Sequence, residues 1–112
     1  MLNAENSRKA INFDLDDNLL RKYYPSKKSY KNGWRDISRF LKESDFEHNQ
    51  YSGYISKKHM SYADVNRIIL YMCYELPWFS RCLLHCDVTA LLEEYSVKKM
   101  IEENVLKRNL SK

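Results

Sequence analysis

Three aspartates crowd one short stretch, "FDLDDNLL", as Asp14, Asp16 and Asp17. Carboxylates in such a run can take a proton from a nucleophile or hold a divalent cation. Two further stretches add polar groups: Ser52 and Tyr54 in "QYSGYIS", and His85 and Asp87 in "LLHCDV". A carboxylate pair with a hydroxyl and an imidazole nearby can bind Mg²⁺, activate a water, or activate a ribose 2′-OH. The same residues could equally be a polar sheet face whose side chains hydrogen-bond one another. Which applies depends on the elements that carry them.

Residues 9 to 15 alternate as a strand, with Ile11, Phe13 and Leu15 inward, so Asn12 and Asp14 face the other way. Residues 16 to 25 connect, starting helically and breaking at Pro25. Residues 28 to 43 carry Tyr30, Trp34, Ile37 and Leu41 at helical spacing. Short strands follow at about 45 to 49 and 51 to 56, with Ser52, Tyr54 and Ser56 expected on the open side. Residues 61 to 75 are the clearest helix: Ser61 and Asp64 form a capping box, Val65, Ile68, Ile69, Met72 and Leu76 a buried stripe, and Pro77 closes it. Residues 80 to 88 are expected as the last strand, with Cys82, Leu84, Cys86 and Val88 inward and Arg81, Leu83, His85 and Asp87 outward. That alternation keeps the cysteines and His85 from sharing a metal ion. Trp78 and Phe79 are expected as a core plug. Residues 96 to 108 suggest a last amphipathic helix, with Val97, Met100, Ile101 and Val105 on one side.

The order β-α-β-β-α-β with a helical tail predicts an α+β, ferredoxin-like fold with an added C-terminal helix. Right-handed crossovers place the first strand between the third and fourth. Both main helices then cover one sheet face, and the open face gathers Asn12, Asp14, Ser52, Tyr54, His85 and Asp87. Tyr54 and Leu83 there suggest a symmetric homodimer.

At 112 residues the chain fits one domain over 1 to 112. No run is apolar enough for a membrane span, the first residues lack a signal-peptide pattern, and three cysteines form no C-x-x-C pair. A cytoplasmic protein without a membrane partner is the expectation. The net charge of +4 is unevenly spread: residues 21 to 42 hold eight basic side chains against Asp36 alone. Arg21, Lys22, Lys27, Lys28, Lys31 and Arg35 are candidate contacts for an RNA backbone, or else a solvated helix face.

"INFDLDDNLL" also looks like the nucleophile motif of haloacid dehalogenase phosphatases. That chemistry needs a hydroxyl-bearing residue where Asn18 stands, and a late acidic pair where Asp87 stands alone. The chain is also too short for that fold.

Taken in order, "AINFDL", "QYSGYIS", "LPWFSRC" and "HCDV" resemble virulence-associated protein D (VapD) over residues 9 to 96, leaving 97 to 112 as a tail. The resemblance implies a ferredoxin-like homodimer that cleaves RNA as an endoribonuclease and acts as a toxin-antitoxin component. It implies a catalytic or metal-proximal carboxylate at Asp14, a functional Ser52 and a second carboxylate at Asp87. Tyr54 and His85 would stand beside them, with Mg²⁺ as the cofactor for Asp14. RNA and a cognate toxin or antitoxin would be the partners. The alternative is a non-catalytic toxin or antitoxin that binds a partner or RNA.

Overall fold

The computed structural model describes residues 3 to 49, 53 to 92 and 100 to 105. The first strand, β1 (Arg8–Leu15), buries Ile11, Phe13 and Leu15 and leaves Asn12 and Asp14 exposed, as alternation predicts. It runs into a short helix, α1 (Asp17–Tyr23). Asp16 caps α1 by accepting from the Leu19 N–H at 2.8 Å. The expected helix over 28 to 43 divides in two: a 3-10 turn at Lys27–Ser29, then α2 (Asn32–Glu43). Ile37 and Leu41 are buried in α2, while Trp34 is 38% exposed and stacks on Phe13 with ring centroids 5.8 Å apart.

Strands β2 (Phe46–His48) and β3 (Gly53–Ser56) form the antiparallel pair expected from the sequence. Helix α3 (Tyr62–Glu75) begins with the expected capping box: Asp64 N–H donates to Ser61 Oγ, and Ser61 N–H to Asp64 Oδ2. Pro77 does more than close α3. It is the first residue of a further helix, α4 (Pro77–Cys82), where proline lacks an N–H that the helix does not need. Strand β4 therefore spans Leu83–Leu91 rather than 80 to 88. Residues 100 to 105 are helical; the rest of the expected 96 to 108 helix lies outside the described residues.

The sheet order is β2-β3-β1-β4, antiparallel throughout. This is the α+β arrangement of the ferredoxin-like fold, with β1 between β3 and β4. Ile11, Phe13, Leu20, Ile37, Leu41, Phe46, Val65, Met72, Trp78 and Phe79 build the core on the helix-covered face. Trp78 and Phe79 are the expected plug: Trp78 packs edge-on to Tyr24 and Phe79 edge-on to Phe13. Gly33 lies where α2 crosses α1 and α4. A Cβ there would stand 3.0 Å from Leu20 Cδ1 and 3.0 Å from the Trp78 ring. No helix among the described residues is long and apolar enough to cross a membrane.

Candidate functional site

Strand register assembles the open face. Asp14 lies directly opposite His85, Asn12 opposite Asp87, and Gly53 opposite Asn12 on its other side. Directly opposed residues bring their Cβ atoms to about 4.5–5.5 Å, and diagonal ones such as Asp14 and Asp87 stand about 7–8 Å apart. Asn12, Asp14, His85 and Asp87 are all exposed. Among the described residues, the Asp14, His85 and Asp87 side chains have no hydrogen-bond or ion-pair partner. Gly53 makes room for this row, since a Cβ there would meet Asn12 Oδ1 at 2.8 Å.

Two expectations for this face are corrected. Tyr54 pairs with Ile11 and therefore faces the core: it is 4% exposed, with its ring stacked on Phe13 at 6.0 Å. Ser56 shares that side and is fully buried; its hydroxyl accepts from the Lys9 N–H and donates to the Lys58 carbonyl. Leu83 and Leu84 exchange places. The ladder pairs Asp14 with His85 but Leu15 with Leu83, so Leu84 is an extra, bulged residue and is 58% exposed. Tyr54 thereby offers no apolar ground for a dimer through the open face, and the exposed leucine is Leu84 instead of Leu83. Cys82 belongs to α4 and is buried. Burial pushes the Cys73, Cys82 and Cys86 thiols up, which disfavours thiolate chemistry. Ser52 lies outside the described residues.

The three neighbouring aspartates separate into three roles. Asp14 faces the open side; Asp16 caps α1; Asp17 sits in the first turn of α1, 3.5 Å from Arg21. Among the described residues, no three His, Cys, Asp or Glu side chains converge to hold a metal ion. Asp14 would serve Mg²⁺ as one ligand among waters and substrate phosphates, a common habit of that ion.

All six candidate RNA contacts, Arg21, Lys22, Lys27, Lys28, Lys31 and Arg35, are exposed. They flank the end of the sheet where β1 stops and α2 begins, which is also the end nearest Asp14 and His85. The Arg21 guanidinium donates to Tyr30 Oη at 3.0 Å and lies over that ring. One further cation, expected on the outward side of the last strand and not among the six, joins the group. Arg81, on α4, lies 5.2 Å from the centroid of the Tyr23 ring, as does Lys22. The proline at the first position of α4 was the signal that could have placed Arg81 on a helix rather than a strand.

A larger cleft of about 650 Å³ lies elsewhere, lined by Asp45, Lys58, His59, Asp64 and Arg67 among others. Its charges are already matched within the fold: Lys58 pairs with Asp45 at 3.2 Å and Arg67 with Asp64 at 2.5 Å. The unpartnered acid and imidazole are on the sheet, so the sheet face is the better candidate. No family model matches the chain, and no curated protein matches it.

Proposed function

We propose that this chain is an endoribonuclease of the VapD type, working as a homodimer in the cytoplasm and acting as a toxin-antitoxin component. The observation that carries the reading is the exposed Asp14–His85 pair, opposite one another across β1 and β4. Asp87 is one diagonal step away, and the basic groups cluster at the same end of the sheet. A carboxylate beside an imidazole supplies a proton acceptor and a proton donor within reach of one phosphodiester. In this reading Asp14 takes the proton of a ribose 2′-OH. The 2′-oxygen bonds to phosphorus, the P–O5′ bond breaks, and His85 in its protonated form delivers the proton to the 5′-oxygen. The products are a 2′,3′-cyclic phosphate and a 5′-hydroxyl. Ser52 and Asp87 are secondary candidates for orienting the phosphate and the ribose. No step is routed through a metal.

The experiment is digestion of end-labelled RNA by the wild-type chain, with and without EDTA. Asp14→Asn, His85→Gln and Asp16→Asn are compared under the same conditions. Asp14→Asn and His85→Gln should each lower the rate on the order of 10²–10⁴-fold, the usual worth of a positioned acid or base. Asp16→Asn should retain activity, because amide and carboxylate both cap helices. Full activity in folded Asp14→Asn would end the catalytic reading. The alternative, a non-catalytic interaction protein, draws on one observation: Leu70, Tyr71 and Tyr74 of α3 are exposed. An inactive wild type with a tightly bound partner would favour it.

A further inference from the structure

Helices α1 and α4 meet beside a pair of prolines. Pro25 follows the end of α1, and Pro77 opens α4. Between them lies a cavity of about 310 Å³, lined by Tyr23, Pro25, Pro77, Trp78 and Arg81. Packing fixes its wall. Trp78 is 6% exposed, with its ring edge-on to Tyr24 at 5.1 Å, and Tyr24 Oη donates to Asp36 at 2.7 Å. The Asp16 N–H donates to the Cys82 carbonyl at 2.8 Å, which ties the start of α1 to the end of α4. Two rings, two prolines and one cation form a preformed slot for a flat group, at the small end of the usual range for ligand pockets, about 300–1,000 Å³.

The charges beside the cavity lack the acidic partners that Arg8, Arg21, Lys58 and Arg67 have. Lys22 and Arg81 converge on the Tyr23 ring instead, each 5.2 Å from its centroid. Among the described residues neither forms an ion pair, and no carboxylate lines the cavity. Two like charges on one ring repel one another, and an anion placed against both relieves this. A phosphate is such an anion, and both side chains can donate to it. The cavity also adjoins the end of the sheet that carries the Asp14–His85 pair. β1 ends at Leu15, whose partner Leu83 is the first residue of β4 after α4.

We infer that this cavity is a subsite for one unpaired nucleotide of an RNA strand, with the base in the slot beside Tyr23, Trp78 and the prolines and its phosphate on Lys22 and Arg81. Bases of single strands are held on aromatic rings or on the plane of an arginine, and Arg81 over Tyr23 offers both. A base inside a duplex is already stacked and paired, so the subsite selects single strands. This subsite rests on the RNA reading of the proposed function and deepens it. A nucleotide anchored here fixes which phosphodiester reaches Asp14 and His85, as positioning from a remote contact does.

Tryptophan emission tests it. The chain has two tryptophans, so Trp34→Phe, which keeps a ring against Phe13, leaves Trp78 as the one emitter. The probe is a short, end-labelled, single-stranded 2′-O-methyl RNA of mixed sequence, which has no 2′-OH to react and stays intact. Anisotropy of the label reads strand binding, and quenching of Trp78 reads the base. Both should saturate together. A strand with the same phosphates but abasic sugars should bind more weakly and leave Trp78 unquenched. Arg81→Gln and Tyr23→Leu should each lower affinity for the intact strand roughly 5- to 100-fold, the usual worth of a stacked base. Arg81 is exposed and Tyr23 half-buried, where Leu keeps an apolar side chain; circular dichroism checks both folds. Strand binding that leaves Trp78 emission and both variants' affinities unchanged would overturn the subsite and spare the RNA reading. Equal binding and quenching by the abasic strand would show a site for phosphate alone and overturn the nucleotide. A wild type that binds no strand by anisotropy would overturn both.

Discussion

Lys9 takes an ammonium into a fully buried position without a carboxylate among its hydrogen-bond partners. Its three N–H groups are met by oxygens: Ser7 Oγ at 2.9 Å and the carbonyls of Ser7, Glu5 and Met60 at 2.7–3.2 Å. The Tyr62 ring stands 5.0 Å away. This cage ties the segment before β1 to the loop before α3, next to the Ser7–Met60 bridge. Lys9→Met keeps the volume but removes the donors from buried oxygens. It should cost about 1–3 kcal/mol, the usual penalty for stranding buried polar groups, measured as a shift in the urea midpoint. A midpoint that rises would mean the burial cost of the charge outweighs its hydrogen bonds. Asp64 gives a pH signature. Hydrogen bonds from Ser61, and then Arg67, hold its carboxyl below the usual range. A depressed folded-state pKa contributes stability above the unfolded value, near about 4, that is lost as pH falls through the folded one. Stability should therefore fall in acid less steeply for Asp64→Asn than for wild type, read from urea midpoints below about pH 5. Parallel acid limbs would show that the box contributes nothing through charge.

At the scale of elements, Gly33 sets how closely α2 approaches α1 and α4. Gly33→Ala gains about 1 kcal/mol in helix propensity. Against this stands the crowding of a methyl group at 3.0 Å from Leu20 and from the buried Trp78 ring, a kind of overpacking that costs about 1–3 kcal/mol. A net loss of up to about 2 kcal/mol is expected in thermal or urea unfolding. A gain would show that Leu20 and Trp78 move aside. The sequence made much of this layer legible, because core stripes such as Val65–Met72 and caps such as Ser61–Asp64 are local patterns. Alternation also placed Asp14, His85 and Asp87 on the open face. It failed at Leu83 and Leu84, because a single bulged residue reverses the faces of everything before it and leaves no periodic trace. His85 and Asp87 lie beyond the bulge and kept their side. Tyr54 was misplaced for another reason. Flanked by serines, it looked like part of a polar row, yet stacking its ring on Phe13 decides the face. Ser56 tolerates burial there because its hydroxyl finds backbone partners. Neither pairing is visible before β1 and β3 are in register.

At the scale of the whole molecule, the described cations fall into groups with different surroundings. Arg21, Lys22, Lys27, Lys28, Lys31, Arg35 and Arg81 surround the end of the sheet where β1 stops and β4 starts. At the opposite end, Lys58 and Arg67 are held by Asp45 and Asp64. Only the first group combines several exposed cations with aromatic rings, Tyr23 and Tyr30, on which a base or a guanidinium can stack. An RNA strand laid across that end would pass beside Asp14 and His85, so binding and cleavage would share one path. Phosphate contacts release counterions, and for single strands each contact contributes about 0.7 to the slope of log affinity against log salt. Reversing Lys27, Lys28 and Lys31 together to Glu should therefore lower the slope by about 2 for an uncleaved RNA analogue. Reversing the exposed Lys57, on the loop after β3 at the other end, should leave it unchanged. Fluorescence anisotropy at several salt concentrations reads both. Flattening by about 0.7 for Lys57→Glu, the same per charge as for the triple reversal, would mean that net charge, and not a path, attracts the strand. Flattening by Lys57→Glu alone would move the strand to the opposite end, away from the Asp14–His85 pair, and would separate binding from the proposed chemistry.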